Sequence, residues 1–182
     1  DKTIIQHLAS ALFEDPNDWT AGNLNGNITL VEFIDYRCGY CRLAHDDVNE
    51  LVETDGNIRL VIKEFPILGQ DSETSSRFAI SVRELGGDTA YGKVHEALIR
   101  LEGKPTDQTL SKLAQRVGLS PKDVLEHMNS NAVSVIIENN HRLGRELNIQ
   151  GTPSFVLQDK MLRGYVPLDA MRELVATKRN GE

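Results

Sequence analysis

An apolar run, Ile28-Thr29-Leu30-Val31-Glu32-Phe33-Ile34, is followed at once by Cys38-Gly39-Tyr40-Cys41, and these are the only two cysteines among 182 residues. The run predicts a buried strand over 28–35. The apolar spacing of Leu43, Ala44, Val48, Leu51 and Val52 predicts a helix over about 39–53. A second strand is expected over 57–64, ended by Pro66 and Gly69. Strand, helix and strand in this order form a β-α-β unit whose right-handed crossover makes the two strands parallel neighbours. The cysteine pair falls at the strand-to-helix junction of that unit.

Ahead of it, Ile4, Ile5, Leu8, Ala11 and Leu12 mark a short helix stopped by Asp15-Pro16-Asn17. The Gly- and Asn-rich stretch 18–27, with the single tryptophan Trp19, reads as a linker lying against the domain that follows. Residues 1–27 are thus expected to be a helical arm joined to a body. From about 72 to 146 the pattern is almost wholly helical, with segments at 72–85, 89–101, 107–117, 121–128 and 132–147. Ser120-Pro121 supplies a cap and first-turn signal. Strands return at Ser154–Leu157 and Met161–Tyr165 as an antiparallel hairpin, and a last helix starts at Pro167 with Leu168, Met171, Leu174 and Val175 inward.

A chain of this length can bury a full core without disulfide staples, so the cysteines are free for chemistry. Twenty-seven acidic against 20 basic side chains give a net charge of −7, which offers no electrostatic reason for a nucleic-acid partner. No apolar run approaches the ~18–20 residues that span a bilayer, so no membrane insertion is expected.

Two cysteines three positions apart at a helix start can close a small disulfide. The positive helix end then favours the first as a thiolate, and Cys38 is read as the exposed nucleophile with Cys41 as its resolver. Arg37 can add to this, although a solvated surface arginine is the commoner reason for such a residue. Burial of both sulfurs as small core groups is poorly suited to the intervening Gly39 and Tyr40. Zinc needs more ligands than two thiolates, and the histidines at 7, 45, 95, 127 and 141 form no ligand-spaced pair. Cu(I) accepts two thiolates, so a copper-binding protein is the alternative from another class.

Glu32 stands in mid-strand on the face of Leu30 and Ile34, where a carboxylate costs several kcal/mol unless paired or protonated. Such an acid beneath Cys41 could take and return its proton, whereas an edge-strand glutamate would merely face water. Lys63, near the end of the adjacent strand, is its natural partner, though a solvated strand-end lysine accounts for it almost as well. Thr152-Pro153, just before the hairpin, reads by periodicity as a loop proline.

Taken together, strand with Glu32, C-x-x-C opening a helix, strand with Lys63, helical insertion, Gly151-Thr152-Pro153, hairpin and closing helix resemble the thioredoxin superfamily, and within it the DsbA-like thiol oxidoreductases. The resemblance covers about residues 28–178. It implies an α/β thioredoxin-like fold, a mixed sheet flanked by helices, with an all-helical subdomain inserted at about 70–147. It further implies a cis Pro153 facing Cys38, a Thr152 backbone that pairs with extended substrate, Tyr40 beside the substrate path, and Glu32 as the buried acid under Cys41. No cofactor is implied. The expected activity is disulfide formation or exchange in unfolded or partly folded exported proteins, in the bacterial periplasm, with a membrane redox partner for reoxidation. The strongest oxidases of the group carry histidine where this chain has Tyr40. Gly39-Tyr40 with Thr152 looks more like the disulfide isomerases, so isomerase or reductase use is the nearest alternative.

Overall fold

The computed structural model describes residues 1–182. Two short helices, α1 (Lys2–His7) and α2 (Ala9–Phe13), lead into strand β1 (Trp19–Gly22). The β-α-β unit follows as β2 (Ile28–Ile34), α3 (Gly39–Asp55) and β3 (Ile58–Glu64). The helical block comprises α4 (Gln70–Arg100), α5 (Asp107–Arg116), α6 (Pro121–His127) and α7 (Asn131–Glu146). The chain ends with β4 (Ser154–Leu157), β5 (Lys160–Arg163) and α8 (Leu168–Arg179). The sheet order is β1-β3-β2-β4-β5, with β2 and β3 parallel and every other pair antiparallel.

Strands β2 and β3 are buried on both faces, which explains their nearly unbroken apolar sequences. One face carries Leu30, Ile34, Leu60, Ile62 and Phe155. It packs under Val48 and Leu51 of α3, Met171 and Val175 of α8, and the apolar side of the helical block. The other face carries Val31, Phe33, Val61 and Val156 and is covered by Leu143 of α7 and Leu147 just past its end, together with Ile5 and Leu12.

Ile5 and Leu12 are 1% and 0% exposed, so the first thirteen residues are part of the core rather than a free arm. The stretch expected to be a linker contains β1, which pairs with β3 through Trp19 opposite Ile62 and Ala21 opposite Leu60. Its glycines serve close packing. A Cβ on Gly22, whose φ is +73°, would stand 2.5 Å from the Ile58 carbonyl oxygen, and one on Gly26 would stand 2.7 Å from that of Asn57. Helix α4 breaks at Gly87 (φ 87°, ψ −175°), between the expected helical segments 72–85 and 89–101. Helices α5, α6 and α7 are capped by the hydroxyls of Thr106, Ser120 and Ser130, each cap worth about 1 kcal/mol.

Candidate active site

Cys38 is the N-cap of α3, with extended backbone (φ −82°, ψ 122°), and Cys41 lies in the first turn. Both are free thiols. The Cys38 thiol donates to the carbonyl oxygen of Thr152 at 3.2 Å, which joins the motif to the loop before β4. The Thr152–Pro153 peptide bond is cis. Cys38 retains 9% of its surface and Cys41 1%, so the expectation of an exposed first sulfur is corrected. The Thr152 carbonyl lies against the Cys38 sulfur.

The two thiols are driven apart in acidity. A hydrogen bond from Cys41 lowers Cys38 to about 5 against the opposing effect of burial, with help from Thr152 and the backbone N–H groups of Cys41 and Tyr40. Cys41, which gives that hydrogen bond, is buried and near Glu32, and is raised far above the ordinary thiol range. Arg37 takes no part in this, because its guanidinium donates to the carbonyls of Leu101 and Gly103. The Thr152 hydroxyl oxygen is buried with no hydrogen-bond partner, which leaves it available to a sulfur anion.

Glu32 lies opposite Ile62 on one side and Phe155 on the other, on the sheet face that meets α3. It is 4% exposed, and burial alone raises its carboxyl to about 8. The Glu32–Lys63 pair expected from the sequence is not formed. The register sets Lys63 beside Phe33, so alternation turns it to the opposite face of the sheet from Glu32. There its ammonium, fully buried, donates to Asp18 Oδ2 at 2.5 Å and to the Ala11 carbonyl at 2.6 Å. Burial raises Asp18 to about 6, with Lys63 pulling the other way.

Two buried carboxylates at this end of the sheet escaped the sequence reading. Asp35, fully buried just past β2, accepts from the N–H groups of Arg37 (2.8 Å), Ile67 (2.8 Å) and Leu68 (3.1 Å) and from Ser72 Oγ (2.8 Å). It thereby fixes the loop after β3 beside the motif. Its signal was legible as an aspartate two residues before the amide it caps, an Asx turn. Glu64 accepts from the hydroxyls of Tyr36 (2.6 Å), Tyr91 (2.7 Å) and Ser76 (2.8 Å). Burial raises its carboxyl to about 7 against those three donors, and nothing local in the sequence signals partners so distant.

Tyr40 is 63% exposed, and with Leu43, Ile67 and Leu68 it gives the segments around the motif an exposed apolar character. No group of three or more His, Cys, Asp or Glu side chains is arranged to hold a metal ion. No helix is long and apolar enough to cross a membrane.

The geometry agrees with comparisons to known proteins. A thioredoxin-like oxidoreductase from Silicibacter pomeroyi DSS-3 is 37% identical with a TM-score of 0.85, covering 94% of this chain and 97% of that one. The thiol-disulfide exchange protein alpha-DsbA2 from Wolbachia pipientis is 27% identical with a TM-score of 0.87, covering 97% and 95%. A curated relative, the Na(+)/H(+) antiporter NhaA 1 of Salinispora arenicola, is 27% identical over 165 residues. Those residues are 90% of this chain but only 25% of the antiporter's length. The family model described as a DSBA-like thioredoxin domain matches residues 29–176, and the chain belongs to that family.

Proposed function

We propose that this chain is a protein thiol-disulfide oxidoreductase that transfers its Cys38–Cys41 disulfide to extended, unfolded or partly folded exported proteins. The observation that carries the reading is the placement of Cys38 Sγ at the start of α3, 3.2 Å from the Thr152 carbonyl, with Cys41 one turn behind it. A client thiolate attacks Cys38 Sγ, the Cys38–Cys41 bond breaks, and Cys41 leaves with the electron pair. Because Cys41 is strongly basic there, it takes up a proton, and Glu32, protonated at neutral pH, is the acid placed to supply it.

The client's second thiolate then attacks the client sulfur of the mixed disulfide and expels Cys38 as a thiolate. A thiol held near 5 is a good leaving group and stabilises the reduced protein, so the pair is an oxidant. Thr152 would hold the client backbone as an added strand, with Tyr40 and Leu43 contacting its side chains. Reoxidation by a membrane redox partner and residence in the periplasm complete the reading, in line with the exchange activity named for the Wolbachia relative.

The test is twofold. The oxidised protein is expected to restore disulfides and activity to reduced, denatured ribonuclease, and Cys41→Ala is expected to accumulate client adducts on Cys38. A reduction potential as low as thioredoxin's, with insulin reduction but no ribonuclease oxidation, would instead assign the reductase direction, which the presence of Tyr40 in place of histidine favours. Tight stoichiometric Cu(I) binding without exchange activity would replace both.

A further inference from the structure

A cavity of about 590 Å³ opens to the surface between the Glu32 face of the sheet, β1, α3 and α4. Its volume falls in the range of about 300 to 1,000 Å³ usual for small-molecule sites. Trp19, Val48, Val52, Leu60 and Ile62 give it apolar walls. The charged side chains that line it are Glu32, Glu53 and Glu96, with no lysine or arginine among them. Neither cysteine lines it. What distinguishes it is a pair of buried polar groups without protein partners.

Glu32 is the first. It is 4% exposed, and burial is the one influence on its carboxyl, with no hydrogen bond from the protein. The side-chain atoms closed off entirely without a partner belong to Thr152 and Asp159, so the Glu32 oxygens open on the cavity. His95, 5% exposed, is the second. Its Nδ1 lies 2.8 Å from the Tyr36 hydroxyl, whose single proton goes to Glu64 Oε1 at 2.6 Å. Nδ1 therefore carries the ring hydrogen and donates. Burial pushes the imidazole down to about 3, so the ring is neutral and Nε2 is left as a bare acceptor on the cavity side. His45 Nε2, by contrast, is already bonded to Glu96.

Two unpaired acceptors, carboxylates at the wall and no protein cation call for a ligand that brings N–H donors and positive charge. A metal ion does not meet that demand, because these side chains are not arranged to hold one. We propose that the cavity binds a small organic ammonium, whose N–H groups donate to Glu32 and His95 Nε2 while its apolar body lies against Trp19 and Val52. The indole face adds attraction for a cation, and charge-assisted hydrogen bonds supply the selectivity. On binding, Glu32 releases its proton to solvent and the ammonium keeps its own. The titratable groups facing Glu32 are Cys41, His45 and Glu53 on α3 and His95 and Glu96 on α4. Lys63 on the adjacent strand points to the opposite face. The site stands whichever way electrons flow through the cysteine pair.

The test titrates the full chain with n-butylammonium chloride, read by calorimetry and by the emission of Trp19, the single tryptophan and a wall of the cavity. Sodium chloride at matched ionic strength is the blank. Saturable binding with a Kd of about 1 mM is expected for so small a probe. Butyltrimethylammonium keeps the charge without N–H donors, and 1-butanol keeps the body without the charge. Each is expected to bind about tenfold or more weakly, the worth of a hydrogen bond to a charged group. Because a carboxyl raised to about 8 must ionise, butylammonium should bind about tenfold tighter near pH 9 than near pH 7. Glu32→Gln should lose about tenfold near pH 9 and abolish that pH dependence. No saturable response beyond the salt blank, or equal affinity for the three probes, would overturn the site. Binding that ignores both pH and Glu32→Gln would remove Glu32 as its anchor and the proposal with it.

Discussion

The ammonium of Lys63 donates to the carboxylate of Asp18 across 45 residues of chain, with both side chains almost wholly out of water. This pair ties the segment between α2 and β1 to the back of the sheet. Lys63→Met is expected to cost about 3 to 5 kcal/mol, since it leaves a buried charge unpaired. The loss should grow as pH rises through about 6, where the parent ionises Asp18 beside the ammonium while the variant, lacking that attraction, must hold the carboxyl protonated or bury an unpaired charge. Adding Asp18→Asn should recover much of the stability, and the exchange rate of the folded fraction should match the parent's. Denaturant melts at several pH values, with a rate assay alongside, check this.

Glu32→Gln should stabilise the protein increasingly as pH rises. The carboxyl is raised from 4.5 to about 8, so the folded state holds a proton that the unfolded chain releases between those values. The parent's stability is therefore highest below 4.5 and falls until about pH 8. The difference between variant and parent at that pH is roughly 3 to 5 kcal/mol. Trp19, the single tryptophan, lines the same cavity, and its emission should titrate near 8 in the parent and lose that step in the variant.

Thr152→Val should raise the Cys38 pKa, because the unpartnered Thr152 hydroxyl is one of the groups that favours the thiolate. It should also increase the stability of the oxidised protein by about 1 kcal/mol, since a buried hydroxyl without a partner is removed. Cys41→Ala should raise the Cys38 pKa further, its hydrogen bond being the largest contribution. Thiolate ultraviolet absorbance against pH measures all three proteins, and an unchanged Cys38 titration in both variants would contradict this account of its acidity.

Asp35→Asn should destabilise the fold by roughly 2 to 4 kcal/mol, since one amide oxygen cannot serve four donors and the amide nitrogen meets N–H groups. Faster hydrogen exchange at the Ile67 and Leu68 amides is the expected signature.

The parts of this molecule that could be read from its sequence are those whose signal is local. Cys38 and Cys41 sit in one turn, Ser120 caps the helix that starts beside it, and Gly86-Gly87 breaks the helix it interrupts. Lys63 was given the wrong partner because a strand of continuous apolar residues carries no phase. A shift of one position, Glu32 beside Ile62 rather than Lys63, reverses the face. Strand β1 was missed because its four residues are only half buried and Gly22 at its end and Gly26 beyond it resemble the glycines of a loop, although they answer to the carbonyls of Ile58 and Asn57. The Glu64 cluster brings together Tyr36, Ser76 and Tyr91 from three elements, and such a meeting exists only after folding.

Four residues of β1 lie along the free margin of β3 and occupy its hydrogen-bonding groups. For a protein whose proposed clients are sticky, extended chains, this trims what that flank offers for zipping up: the outermost strand there is four residues ended by Gly22 instead of the seven residues of β3.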